Sequence, residues 1–417
     1  MLVCNAGTLH VFALAKALHR EGLLHACATS LFVSRRQLGL LPAFGPRAFR
    51  RDAIARRVAN RMCPELEGRV RAYPLPELLH LGCSRLGLGS RDAWIRWRNR
   101  RFQAWVARRI LDGVDVVWSF DTCSRWLFSA AKSRGLKCVL DVSIAHPAAG
   151  DEILSEHAAR CPQYSSDLHG LGKSAAEIAE RQLEMELADI VVSASSFTAG
   201  TLDRFQVPRE KVRVVPYGVN LDGFHPAADA GVTREKTTFL FVGWFSQRKG
   251  IYYLLEAWAR SGLGARHELL LAGGSRGQLR CWPGELPAGV RCLGRVPHGE
   301  LASVYRGADV FVFPSLFEGF GLVLLEAMAS GLPVLTTPHT AGPDLVADGT
   351  EGFLSAPGDV SELAAQMRML ADDPVRCRAM GSAARRRAEY YTWERYGANC
   401  AKVVGDLVNL RSGPSGR

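Results

Sequence analysis

No stretch of this 417-residue sequence stays apolar for the roughly 18 residues that a membrane-spanning helix needs, so an integral membrane protein is not expected. The start, Met1-Leu2-Val3-Cys4, has no basic segment leading into an apolar one, which argues against a secretory leader. The 11 cysteines contain no Cys-x-x-Cys pair. That spacing excludes a zinc ribbon or a disulfide frame and suits reduced thiols of a cytosolic protein, many of them packed as small hydrophobes. No internal repeat appears beyond a duplicated αβ plan, and only Arg411 to Arg417 reads as disordered. Acid is scarce at the front. Residues 1–150 hold 24 Lys+Arg against 10 Asp+Glu, whereas the remainder holds 28 against 31. A basic front part points to nucleic acid, an anionic membrane surface or an anionic acceptor. With 47% hydrophobic residues the chain can fill two or three domain cores.

The most informative stretch is Phe311 to Thr337, FVFPSLFEGFGLVLLEAMASGLPVLTT. Val310 to Phe313 suits a buried parallel strand, and Pro314 breaks it. Gly319 and Gly321 allow a sharp turn and a close approach to a ligand. A helical pattern from about Gly321 carries Leu322, Leu325, Glu326 and Ala329, stops at Gly331-Leu332-Pro333, and leads into a strand at Val334 to Thr336. A helix mouth with bare N–H groups, here those of Gly321, Leu322 and Val323, favours an anion such as phosphate. Glu318 stands before that mouth and Glu326 about 7.5 Å of rise beyond it. The layout suits a ligand with hydroxyls at both ends and a diphosphate in the middle, the shape of a nucleotide sugar. The plain alternative is a Rossmann-like unit in which Glu326 is a solvated helix residue.

Glu318-x7-Glu326, with Gly319-Phe320-Gly321-Leu322-Val323 between and Ala-Met-Ala-Ser-Gly-Leu-Pro-Val after, resembles the signature of family 4 retaining glycosyltransferases of the GT-B fold. The resemblance covers about two-thirds of the chain and is strongest from Val212 to Tyr396. It implies an α/β protein with two Rossmann-like domains facing across a cleft. Residues 1–221 would form the acceptor-side domain, 222–391 the nucleotide-sugar domain, and 392–417 a helix returning to the first domain. Val212 to Asn220 (VRVVPYGVN) resembles the family's interdomain crossing, and Asp222 to Lys236 reads as the linker.

Further site candidates follow in chain order. Gly7 and Thr8 close the first strand and, in the resembling family, face the donor phosphates and the acceptor. Arg47 to Met62 carries six arginines around a helical face of Ile54, Val58 and Met62. Arg91 to Ile110 interleaves seven arginines with three tryptophans. Its Trp94, Ile95, Phe102, Trp105, Val106 and Ile110 share one arc, into which Arg91, Arg98 and Arg109 intrude. Either a basic membrane-surface helix or a core-packed helix with a solvated arginine face fits that pattern. The loop after the strand Lys137–Val142 holds Asp141, Ser143 and His146. A lone histidine is more often structural, but the resemblance implies one near the donor sugar in this region. In the second half, Gly243, Arg248 and Lys249 lie on a loop between a strand and a helix, a phosphate site by position. The family usually has an arginine just after the glycine. Trp244 stands there, and Arg248 is the candidate replacement. Val296, after Gly294-Arg295, resembles the turn that receives the nucleotide base.

The resemblance implies departure of a nucleoside diphosphate from a sugar anomeric carbon as an acceptor hydroxyl arrives. Lys249, Arg248 and the helix mouth would stabilise the leaving phosphate, Glu318 would orient the sugar and Glu326 would hold the ribose. No cofactor is expected, and no metal, since the sequence has no Asp-x-Asp motif of the other main glycosyltransferase fold. The expected partners are a nucleoside-diphosphate sugar and a glycan, glycolipid or lipid-linked acceptor. An anionic membrane surface would be met through 47–62 and 91–110, on the cytoplasmic side. Nucleic acid is not expected, since no recognition motif accompanies the arginines. The rivals are a sugar-nucleotide epimerase or phosphorylase of the same fold, a basic nucleic-acid binder and a catalytically dead sugar-nucleotide sensor.

Overall fold

Val116–Phe120, Thr238–Val242 and Val310–Phe313 are buried end to end, as parallel strands covered by helices on both faces must be. The structure, a computed structural model, describes residues 1–7, 10–34, 61–227 and 235–409. Thr8 and most of the arginine-rich 47–62 stretch lie outside the described residues.

Among the described residues the strands build two sheets. The first contains β1 (Leu2–Asn5), β2 (Ala26–Thr29), β3 (Val70–Ala72), β4 (Val116–Phe120), β5 (Lys137–Val142), β6 (Ile190–Ser193) and β7 (Val212–Val214). The second contains β8 (Thr238–Val242), β9 (Glu268–Ala272), β10 (Val290–Gly294), β11 (Val310–Phe313), β12 (Val334–Thr336) and β13 (Gly352–Leu354). Their orders are β3-β2-β1-β4-β5-β6-β7 and β10-β9-β8-β11-β12-β13, with parallel pairing throughout. Both orders reverse direction beside their first strand, between β1 and β4 and between β8 and β11. Loops leaving such a pair diverge to opposite faces of the sheet and open a crevice at the carboxyl ends.

Helices bury the sheet faces. Phe102 and Val106 of the helix Arg91–Arg109 enter the core of the first sheet, which decides its seating in favour of core packing. Arg98, on the apolar arc, reaches the buried Glu77 at 2.8 Å, so its charge is neutralised there and not solvated. The last helix, Trp393–Asn409, returns to the first sheet and lies against Val11–Arg20. A Cβ on its Gly397 would come within 2.5 Å of the Ala17 Cβ. The two crossings between the sheets run side by side, Val219 bridging Thr392 and its N–H bonding Tyr391 O at 2.8 Å. Several strands and helices were not assigned from the sequence, among them β2, β3 and the helices Leu75–Arg85, Arg125–Lys132 and Pro147–Arg160.

Candidate active site

A cleft of about 1330 Å³ opens between the carboxyl edges of the two sheets. From the first half His10, Ser143 and Ile144 line it, and from the second Gly243, Trp244, Lys249, Glu318 and the run Gly319 to Val323. Lys249 follows β8 and Glu318 follows β11, so the two sides of the second sheet's reversal point supply one pair of opposite charges.

Local geometry brings that pair together. Gly250 has φ 71°, and a Cβ on it would lie 2.0 Å from Pro314 O, so only glycine lets the 247–249 turn press against the end of β11. Leu316 N–H and the Ser315 hydroxyl both donate to Arg248 O, at 2.8 and 2.9 Å, and fix that contact. Glu318 Oε1 then accepts from Lys249 Nζ at 2.5 Å, Arg248 Nη1 at 2.8 Å and Ser315 Oγ at 2.9 Å. Among the described residues no such donor reaches Oε2. Burial pushes the Glu318 carboxyl up, but the Lys249 and Arg248 charges outweigh it and hold the group below the usual carboxylate range. Burial also draws the Lys249 ammonium below its usual value, against the opposing pull of Glu318.

Gly319 lines the cleft and also joins the two halves. A Cβ there would sit 1.8 Å from Ser143 O, so its smallness lets the two halves touch. Its carbonyl accepts from Ser195 Oγ at 2.5 Å and Thr198 Oγ1 at 3.1 Å, which pins the Glu318 loop to the first half. Gly321 has φ 87° and precedes the helix Leu322–Ala329, whose mouth has no side-chain cap and opens on the cleft.

Other expected residues stand elsewhere. Glu326 is buried behind the cleft wall, where Tyr305 Oη donates to Oε2 at 3.0 Å and His298 Nε2 lies 3.3 Å from Oε1. His298 is the member of that group that lines the cleft, and its bond to Glu326 raises its pKa. Arg248 lines a separate side chamber of about 300 Å³, stacked over Phe317 at 5.5 Å and bonded to Phe317 O at 2.9 Å. Gly7 and Val296 are not among the cleft-lining residues, and the Gly7 N–H is taken by Asn5 Oδ1 at 2.8 Å.

His146 is likewise absent from the cleft wall. It caps the helix Pro147–Arg160, its Nδ1 accepting from Ala148 N–H at 3.3 Å, and its ring stacks on Phe205 at 4.2 Å. Burial lowers its pKa. Those contacts suit the structural role open to a lone histidine. The first half's histidine at the cleft is His10, which the sequence reading missed. Its Nε2 lies 3.4 Å from the buried Asp141, and its ring packs on Tyr217 at 4.1 Å. The available signal was its place just beyond the first glycine turn, at the head of the first helix. Among the described residues no three His, Cys, Asp or Glu side chains gather in a metal-binding group.

Residues 8–222 match the family model described as Glycosyltransferase Family 4. The chain belongs to glycosyltransferase family 4. Residues 236–373 of this family 4 chain match a second model, Glycosyl transferases group 1. It is 36% identical over 248 residues to the D-inositol 3-phosphate glycosyltransferase of Streptomyces avermitilis, covering 54% of this chain and 53% of that one. It is 32% identical over 237 residues to the MMP alpha-(1->4)-mannosyltransferase of Mycolicibacterium hassiacum, covering 55% and 56%. The chain thus spans about half the length of the curated relatives it matches. Among solved structures, sucrose-phosphate synthase from Thermosynechococcus elongatus superposes with a TM-score of 0.66 at 21% identity, over 98% of this chain and 99% of that one. Anabaena HepE in complex with UDP-glucose gives 0.61 at 16% identity, over 97% and 99%. These similarities establish the GT-B fold for this family 4 chain, two parallel sheets facing one cleft.

Proposed function

We propose that this chain is a retaining glycosyltransferase that moves a hexosyl unit from a nucleoside-diphosphate sugar to a hydroxyl of a glycan, glycolipid or lipid-linked acceptor. The observation that carries the reading is the meeting, in one cleft, of Lys249, Glu318 and an uncapped helix mouth. The ammonium and the mouth's N–H groups suit a leaving diphosphate, on which negative charge grows as the glycosidic bond breaks. Glu318 Oε2, to which the described donors do not bond, suits hydroxyls of the departing sugar. The Anabaena structure with UDP-glucose and the family membership support a nucleotide-sugar donor.

In this reading residues 1–221 carry the acceptor side, 222–391 the donor side, and the helix Trp393–Asn409 of the 392–417 segment braces the first domain. Glu326 acts on the donor through His298, which stands between it and the cleft. Retention places the acceptor hydroxyl on the face the diphosphate leaves, so a phosphate oxygen takes its proton. His10, oriented by Asp141, is the first half's group for holding that hydroxyl. The chemistry needs neither a resident metal nor a cofactor, because Lys249 and the helix mouth supply the positive field. We place the protein at the cytoplasmic face of a membrane, where a lipid-linked acceptor and the basic first half would meet.

The test is a thermal-shift screen of nucleoside-diphosphate sugars followed by product analysis. The right donor at 100 times its Kd adds about 2.7 kcal/mol of stability. Incubation with an acceptor then yields a glycoside of the donor's own anomeric configuration. A donor that binds but gives neither transfer nor hydrolysis would replace an enzyme with a sensor, and an inverted product would remove retention.

A further inference from the structure

The helix Leu75–Arg85 is turned inside out. Leu75, Leu78, Leu79, Gly82 and Leu86 recur at i, i+3, i+4, i+7 and i+11, the spacing of a single helical stripe. In a globular protein such a stripe faces the core. Here these leucines, with Leu88 in the following turn, are 43–74% exposed, while Glu77 and His80 are buried on the inner side. The orientation is locked. Glu77 is held by Arg98 at 2.8 Å and Arg61 at 3.5 Å, and Arg98 also donates to Asn99 Oδ1 at 2.8 Å. Rolling the helix to bury its leucines would break that ion-paired group, so the apolar face stays outward.

What surrounds the stripe identifies its occupant. Residues 68–111 hold ten arginines against Glu77 and Asp92, and the internal Glu77–Arg98 pair leaves nine arginines against Asp92. Trp94 donates its indole N–H to Leu88 O and sets an aromatic ring beside the leucines. A second copy of the chain would bring its own arginines against these, and a nucleic acid would leave the leucines in water. A leucine stripe with an aromatic edge and a cationic border matches an anionic lipid surface, apolar below the headgroups and negative at them.

We propose that the Leu75–Arg85 helix and the turn after it dock on an anionic membrane. The leucines would enter the headgroup–acyl boundary by about 5–10 Å, and the exposed Arg85, Arg91, Arg96, Arg100 and Arg101 would contact the headgroups, Arg98 staying inside with Glu77. The inference rests on the proposed membrane location but not on the donor chemistry, and it moves the apolar contact from the Arg91–Arg109 helix to its neighbour.

Flotation of the full chain with phosphatidylcholine vesicles containing about 30 mol% phosphatidylglycerol tests it. The expected result is binding that falls at least about thirtyfold in Leu78→Ser/Leu79→Ser/Leu86→Ser. That triple variant should melt like the parent, since its sites are exposed, and Glu318→Gln should bind vesicles like the parent. If the serine variant binds normally while Arg91→Gln/Arg96→Gln/Arg100→Gln does not, the leucine inference falls and the membrane location survives. If the parent binds no vesicles, both fall. A parent dimer in sedimentation that the serine variant loses, without vesicle binding, would assign the stripe to a second copy instead.

Discussion

Asp121 and Glu318 follow equivalent strands. β4 and β11 are each the neighbour of the first strand across the reversal point of their sheet. Glu318 is buried and Asp121 half-buried, yet their surroundings drive them apart. Glu318 meets two cations and stays ionised below the usual range. Asp121 meets the Ser143 hydroxyl at 2.8 Å, with Arg181 bonded to Glu184, and burial pushes it up to about 6. One topology therefore offers two crevices, and the cations delivered to each decide which is organised around fixed charge. Beside Asp121 the backbone is held by other means. Thr122 has φ 72° and is kept there by Glu184, which accepts from Thr122 N–H at 2.9 Å and Ser124 N–H at 2.8 Å.

The largest effect expected from breaking this contrast is that of Glu318→Ala. It strands Lys249 and Arg248 in a desolvated site, so it should cost about 3–5 kcal/mol of stability and nearly all transfer. Urea denaturation and donor turnover read the two effects, and turnover at the parental rate would remove Glu318 from the mechanism. Lys249→Ala should lose about 2.7–4 kcal/mol of transition-state stabilisation, seen in kcat. Its stability loss should be smaller than that of Glu318→Ala, because Arg248 still neutralises the carboxylate. In the first half, Glu184→Ala should cost about 3 kcal/mol in denaturation by leaving buried N–H groups unpaired, and should impair folding more than turnover per folded molecule.

The pH dependences of the two carboxylates have opposite signs. Glu318, depressed when folded, stabilises above its unfolded pKa, and that contribution is lost as pH falls through the folded value. Asp121, raised from 3.8 to about 6, binds more proton folded than unfolded in that window, so its contribution declines as pH rises through it. Asp121→Asn should therefore flatten the stability profile between those values and melt above the parent at neutral pH, by about 1 kcal/mol. A variant less stable than the parent at neutral pH would show that Arg181 holds Asp121 as firmly as the cations hold Glu318.

Much of the second half was legible because each signal there was local. The buried strand Val310–Phe313, the positive-φ Gly321 and the helix after it are neighbours in the chain, so pattern and fold agree. Lys249 was legible for the same reason, as a loop cation between a strand and a helix. His10 was missed, and the packing of His146 was not legible, because the deciding contacts were distant, with Asp141 for one and Phe205 for the other. The helix Leu75–Arg85 escaped notice because Glu77 draws its polar side inward, through partners that sequence spacing does not connect.

By itself the sequence determined the class of fold, the strand–glycine–helix unit and the two carboxylates at either side of its helix mouth. These follow from hydrophobic period and backbone stereochemistry, which act over a few residues. Tertiary structure decided that Glu318 belongs to Lys249, that Glu326 stands behind His298, that Gly319 joins the halves and that one leucine stripe faces outward. Those outcomes depend on burial and on charges brought together from far along the chain, and a carboxylate's partner is known only once the chain has folded around it.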